Sequence, residues 1–201
     1  MFEEAKMIGR VTRCSTRGFV GAVRIPQPEA PTFGTFCQAE AQQGHSRVIG
    51  VIYDISIEDD EFARQMAVAE DVTPEHIADQ QSLRQVPVEY SALTLGFEEH
   101  DQFHHHLPPQ PPLTLAPVYV LPPADLIEFS QQLDFLPLLL SAEGVPVDEL
   151  LLAILRQAAA LRPEAQRRNY LVQAGRTCTR QLSGDLTRLT TLLRGLEMEN
   201  V

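Results

Sequence analysis

From Met7 to Ser56 the chain alternates short apolar and polar positions in runs separated by glycine, proline and small polar residues. Met7–Cys14 (MIGRVTRC) and Arg17–Ile25 (RGFVGAVRI) mix β-branched and apolar residues and are broken at Ser15-Thr16 and Gly18, which predicts two strands. Pro26, Pro28 and Pro31 then mark a loop. Gly34–Ala41 (GTFCQAEA) has a two-residue period that sets Phe36 on one face and Cys37 on the other. After a turn at Gly44, Ser46–Ser56 (SRVIGVIYDIS) carries the strongest strand pattern in the chain, and Gly50 inside it predicts a bulge or a barrel corner. Pro87–Phe97 (PVEYSALTLGF) repeats the period of two. Between these strands the pattern changes: Asp59 or Asp60 is placed to cap a short helix through Val68, and Thr73-Pro74-Glu75 is a second helix start. Residues 98–123 read as a loop rich in histidine and proline, interrupted by the apolar run Val118–Leu121.

After Pro123 the period becomes helical. Ala124–Leu133 and Leu136–Ser141 predict short helices, and Val147–Leu161 has apolar residues around much of its circumference, as a buried helix does. Asp148 is a cap or first-turn acid for that helix. Pro163-Glu164 opens another helix that runs on toward Gly175 and beyond. Thr187–Leu196 closes the set, with Leu189, Leu192, Leu193 and Leu196 at spacings of three and four. The chain is thus α+β, β-rich to Pro123 and helical after it, with Pro122-Pro123 as the boundary.

Composition narrows the class. A 44% hydrophobic share with 21% charged residues is that of a folded globular chain. No stretch approaches the roughly 20 apolar residues of a membrane helix, and Met-Phe-Glu-Glu-Ala-Lys does not read as a signal peptide. Cys14, Cys37 and Cys178 are odd in number and widely spaced, which suits a reducing compartment, so the expected location is cytoplasmic. Charge is uneven: residues 1–150 hold eight basic against 23 acidic residues, whereas residues 151–201 hold eight arginines against four acids. An acidic N-terminal part is a poor non-specific partner for nucleic acid, because each phosphate contact needs a basic group.

The order of the strands resembles the HAS-barrel, the small barrel of HerA-type DNA translocases and ATP-synthase subunits. The matching features are Gly9-Arg10-Val11, Gly34, Val48-Ile49-Gly50-Val51, Leu95-Gly96 and the proline-rich exit Pro108–Pro123, so the resemblance covers about residues 7–123. It implies a small N-terminal antiparallel β-barrel over residues 1–123 with a helical insertion at about 58–85, followed by an α-helical region over 124–201. HerA-type proteins continue into a P-loop ATPase, which holds phosphates with G-x-x-x-x-G-K-[S/T]. This chain has no Gly-Lys pair and a single lysine, Lys6, so ATP hydrolysis does not carry over.

Four groups of residues are candidates for chemistry. His100–His106 (HDQFHHH) could supply imidazole ligands to a metal, chiefly His100, His104 and His106, but adjacent residues rarely converge on one ion, and a solvated loop is the favoured reading. The serines lack a G-x-S-x-G setting, and Cys14 and Cys37 lie in strands, where thiols act as small apolar side chains. Glu58-Asp59-Asp60-Glu61 lacks the ligand spacing of a calcium loop. Arg162, Arg167, Arg168, Arg176, Arg180, Arg188 and Arg194 could form a phosphate-binding face, with Tyr170 the one aromatic there for stacking on a base. A solvated face, or pairing with the acidic barrel, is favoured for them.

No catalytic constellation or cofactor is expected. The leading expectation is a non-catalytic interaction or assembly module that joins a ring-shaped, HerA-like hexameric ATPase or self-associates, through the barrel edges or through the apolar faces of Leu150–Leu155 and Leu189–Leu196. The alternative is a nucleic-acid binder that uses the arginine-rich C-terminal helices.

Overall fold

The computed structural model describes residues 6–24, 31–57 and 87–197, with single positions between 58 and 86. The expected helical insertion over 58–85 therefore lies outside the described residues.

Among the described residues seven strands form: β1 (Met7–Ser15), β2 (Gly18–Arg24), β3 (Phe36–Ala41), β4 (Ser46–Ile57), β5 (Pro87–Glu99), β6 (Gln102–His104) and β7 (Pro117–Val120). Each pairing is antiparallel. Six of the strands close into a barrel in the order β1-β2-β5-β4-β3-β7, with β7 returning to β1; β6 adds a short hairpin to the far end of β5. Closure removes the unpaired strand edges that an open sheet would present.

The strand closing the barrel is the one that the sequence reading assigned to a loop. Pro117–Val120 pairs with β1 (Gly9↔Val118) and with β3 (Ala39↔Val118). A four-residue segment among prolines is too short for a local periodicity, and its two partners lie about 80 to 110 residues away in sequence. Gln102–His104, also read as loop, is likewise too short for a period, but its partner is local: it pairs with Phe97–Glu99 across the two-residue turn at His100-Asp101 to make β6. The bulge expected at Gly50 is present, since the β4–β5 register shifts between Ile49 and Gly50.

Along β3 and the first half of β4 the sheet is buried on both faces, which explains why that part of β4 reads as a nearly continuous apolar run. One face points into the barrel, where Val11, Phe19, Cys37, Ala39, Val48, Ile52, Tyr90 and Val118 form one cluster. Tyr90 occupies this interior at 1% exposure, and Gly21 lies so close to its ring that no Cβ would fit. The other face carries Phe36, Ile49, Val51 and Leu95 into a second cluster shared with the helices.

Those helices are α1 (Pro123–Phe129), α2 (Leu136–Leu140), α3 (Val147–Ala160), α4 (Glu164–Gln181) and α5 (Leu186–Glu197). Leu126, Phe129, Leu136 and Leu139 meet the outer sheet face, and α3 adds Leu150, Leu151, Ile154 and Leu155. Helix α4 contributes Tyr170, Ala174 and Cys178, spaced by four, so its buried stripe is narrow. In α5, Leu189, Leu192 and Leu196 are buried. The helical region thus packs on the barrel through a common core. Of the leucines in 150–155 and 189–196, considered above as a partner groove, Leu150, Leu151, Leu155, Leu189, Leu192 and Leu196 are interior, and Leu152 and Leu193 are partly buried against them. Asp148 sits in the first turn of α3, not at its cap, and accepts from Arg188 Nε at 2.7 Å, tying α3 to α5.

Candidate functional site

The histidine segment is a hairpin. His100 and Asp101 both have positive φ (53° and 58°), as a two-residue hairpin turn of the primed type requires. Glu98 fixes the turn by accepting the Asp101 N–H at 3.1 Å. Beyond it, alternation along the chain sends the imidazoles apart. His104 stacks on Phe97 with centroids 4.8 Å apart, and His106 meets the same ring edge-on at 5.1 Å. His105 points the other way, against Phe129 at 4.7 Å, and its Nε2–H donates to the Phe129 carbonyl at 2.8 Å. Burial lowers the His105 pKa, partly opposed by that hydrogen bond and by Asp134. His100 stands in solvent at the turn. His104 and His106 thus lie side by side, with ring centroids 5.6 Å apart, while His100 stands away at the turn; among the described residues no three His, Cys, Asp or Glu side chains are grouped to hold an ion.

The arginine face is divided. Arg162 is 7% exposed, and its guanidinium donates to Ala158 O (2.6 Å), Ile127 O (3.2 Å) and Ser130 Oγ (3.1 Å) while lying 3.9 Å over the Tyr170 ring. Neither residue can meet a nucleic acid: Arg162 is a tie between α1 and α3, and Tyr170 is buried beneath it. Their assignment to a phosphate-binding face is corrected accordingly. Arg167 donates to Arg162 O and Ala160 O, carbonyls at the end of α3 that lack helical partners. Arg168, Arg176 and Arg180 are exposed, the last two beside Asp134 in a small depression.

The cysteines are unpaired. Cys37 lies in the barrel interior and Cys178 in the helical core, and burial raises both thiol pKa values away from the reactive thiolate form. Cys14 is half-buried, with Sγ 3.1 Å from Pro112 O.

No family model and no curated protein matches the chain.

Two surface features remain. The first is the turn Leu113–Ala116, at the foot of β7. Leu115 has φ +65°, a left-handed conformation that costs a branched side chain about 1–2 kcal/mol, and is nonetheless 67% exposed. The conformation is imposed from outside: Leu113 N–H donates to Glu40 O, Leu115 N–H to Val11 O, and Arg10 Nη1 to Leu115 O. Leu113 is 41% exposed on the same turn. The second is a cleft of about 730 Å³ between the β1–β2 hairpin, β5 and the connection from α2 to α3. Sequence reading missed both. The only local signal for the turn is a pair of leucines inside a proline-flanked stretch, Leu113-Thr114-Leu115-Ala116, and backbone sign is invisible at that level.

Proposed function

We propose that this chain is a non-catalytic assembly module, a barrel that docks onto a protein partner through the Leu113–Ala116 turn. The observation that carries the reading is Leu115: a leucine held at φ +65° by three contacts from β1 and β3, with its side chain in solvent. Strain of this kind persists only where the surroundings impose it, and it gathers at binding and switch sites. An exposed pair of leucines on a rigid turn is a suitable anchor for an apolar pocket on another protein. The HAS-barrel resemblance suggests the partner: the collar of a ring-shaped translocase of the HerA type, or further copies of this chain.

The test is co-expression with a HerA-type ATPase encoded in the same genome, followed by light scattering and native mass spectrometry of the purified material. A complex of fixed stoichiometry, or a defined homo-oligomer, that is lost in Leu113→Ser/Leu115→Ser supports the reading. A strict monomer that forms no complex with the ATPase removes it, as does a complex indifferent to both substitutions.

A further inference from the structure

The cleft beside the β1–β2 hairpin has a chemistry independent of the docking turn. Its volume, about 730 Å³, falls in the range of small-molecule sites. One wall is apolar, formed by Leu93 of β5, Leu138 of α2 and Val145 ahead of α3. Arg13 and Arg17 line it on the hairpin side, and both are exposed. Among the described residues, no hydrogen bond or ion pair engages either guanidinium. That contrasts with the other arginines of the barrel for which contacts are described: Arg47 bonds Glu98 and Asp125, and Arg10 bonds a carbonyl.

In the stretch 1–150, where acids outnumber bases 23 to eight, two guanidiniums on one cleft with no partner among the described residues are poorly explained by internal pairing. They are well explained by an anion from outside, since the arginine fork matches a carboxylate in geometry and charge. The charge of that anion is bounded. Glu143 lines the cleft from the α2–α3 connection, and the chain carries a net charge of −11, so a polyanion would be repelled. A single negative charge attached to an apolar body satisfies both walls.

We propose that this cleft binds an amphipathic monocarboxylate, with its carboxylate on Arg13 and Arg17 and its hydrocarbon or aryl body against Leu93, Leu138 and Val145. The ligand is held by charge at one end and by desolvation at the other, so removal of either component weakens binding.

Titration calorimetry on the full chain tests this with octanoate and, as a body of the same length without the charge, octanol. Octanoate is expected to bind at least about tenfold more tightly than octanol. Arg13→Gln/Arg17→Gln is expected to abolish that difference while leaving octanol binding and the melting temperature unchanged, because both side chains are exposed and make no hydrogen bond or ion pair among the described residues. Phenylpropanoate binding more tightly than octanoate would assign an aryl body, and the reverse an alkyl one. No octanoate heat at low-millimolar concentration overturns the proposal, and so does octanoate affinity that is equal to octanol's or survives in the double variant. None of these outcomes bears on the partner complex, which is read separately by its mass.

Discussion

The Arg47 guanidinium donates from Nε to Glu98 Oε2 at 2.6 Å, joining β4 to β5 where α1 crosses the end of the barrel. The same guanidinium reaches Gln38 Oε1 at 2.7 Å and Asp125 Oδ2 at 3.3 Å, so one side chain holds two neighbouring strands and a helix to its own. Burial opposes the arginine's charge, but the hydrogen bond and charge of Glu98, with Asp125 behind it, outweigh that and raise the Arg47 pKa. Glu98 is the deeper partner, with 11% of its side chain exposed against 29% for Asp125.

Truncation should therefore rank the two acids. Glu98→Ala leaves a half-buried arginine without its main partner and also frees the Asp101 N–H, and is expected to lower unfolding free energy by about 2–3 kcal/mol. Asp125→Ala, the longer and more exposed pair, is expected to cost under about 1 kcal/mol. Urea titrations of the two variants measure both; equal losses would show that α1, not the strand pair, is what Arg47 secures.

His105 should make stability depend on pH. Burial favours its neutral form, so its folded pKa lies below that of the unfolded chain, about 6.5. For a base depressed in this way, the contribution is present in full above the unfolded pKa and is lost as pH falls through and below that value. Melting temperature should then drop between about pH 7.5 and 5, through this window. In His105→Phe, which keeps the ring against Phe129 without the titration, the drop should be smaller; an unchanged drop would assign it to other groups.

Leu115 should separate stability from docking. Glycine adopts positive φ freely, so Leu115→Gly relieves the left-handed strain, and about 0.5–1 kcal/mol of stability is expected to be gained once the entropy of the unfolded glycine is set against it. The same change removes the exposed side chain and should weaken the partner complex. A variant that is more stable and less associated fits the docking role. Loss of stability would mean that the Leu115 side chain packs in a way its 67% exposure does not suggest.

Arg162 should behave as a structural cation. Its contacts need a planar fork: two carbonyls, a hydroxyl and an aromatic face. Lysine cannot stack or bridge in that way, so Arg162→Lys is expected to cost about 2–3 kcal/mol, close to the loss in Arg162→Ala. Thermal melts of the two variants check this. A lysine variant that melts with the parent would show that charge alone suffices.

The sequence by itself determined the element types where burial follows a local period. Phe36 and Cys37 face opposite sides of β3, the bulge falls at Gly50, and α3 through α5 lie within a few residues of their predicted spans, because each of those choices is decided by neighbours within one or two turns of chain. The prolines at 122 and 163 mark helix starts for the same reason. Only the tertiary structure decided the rest. Barrel closure depends on Val118 lying between Gly9 and Ala39, a pairing with no local energy to announce it. The fate of the charged residues is likewise non-local: Arg162 is buried, Arg47 is shared between acids, and Arg13 and Arg17 have no side-chain partner among the described residues, although all four read alike as arginines in sequence. The histidines show the same limit. Spacing placed four of them within seven residues, and the alternation carried on from β6, which is fixed by its pairing to β5, turned the half-buried His105 onto Phe129 while His104 and His106 lie against Phe97.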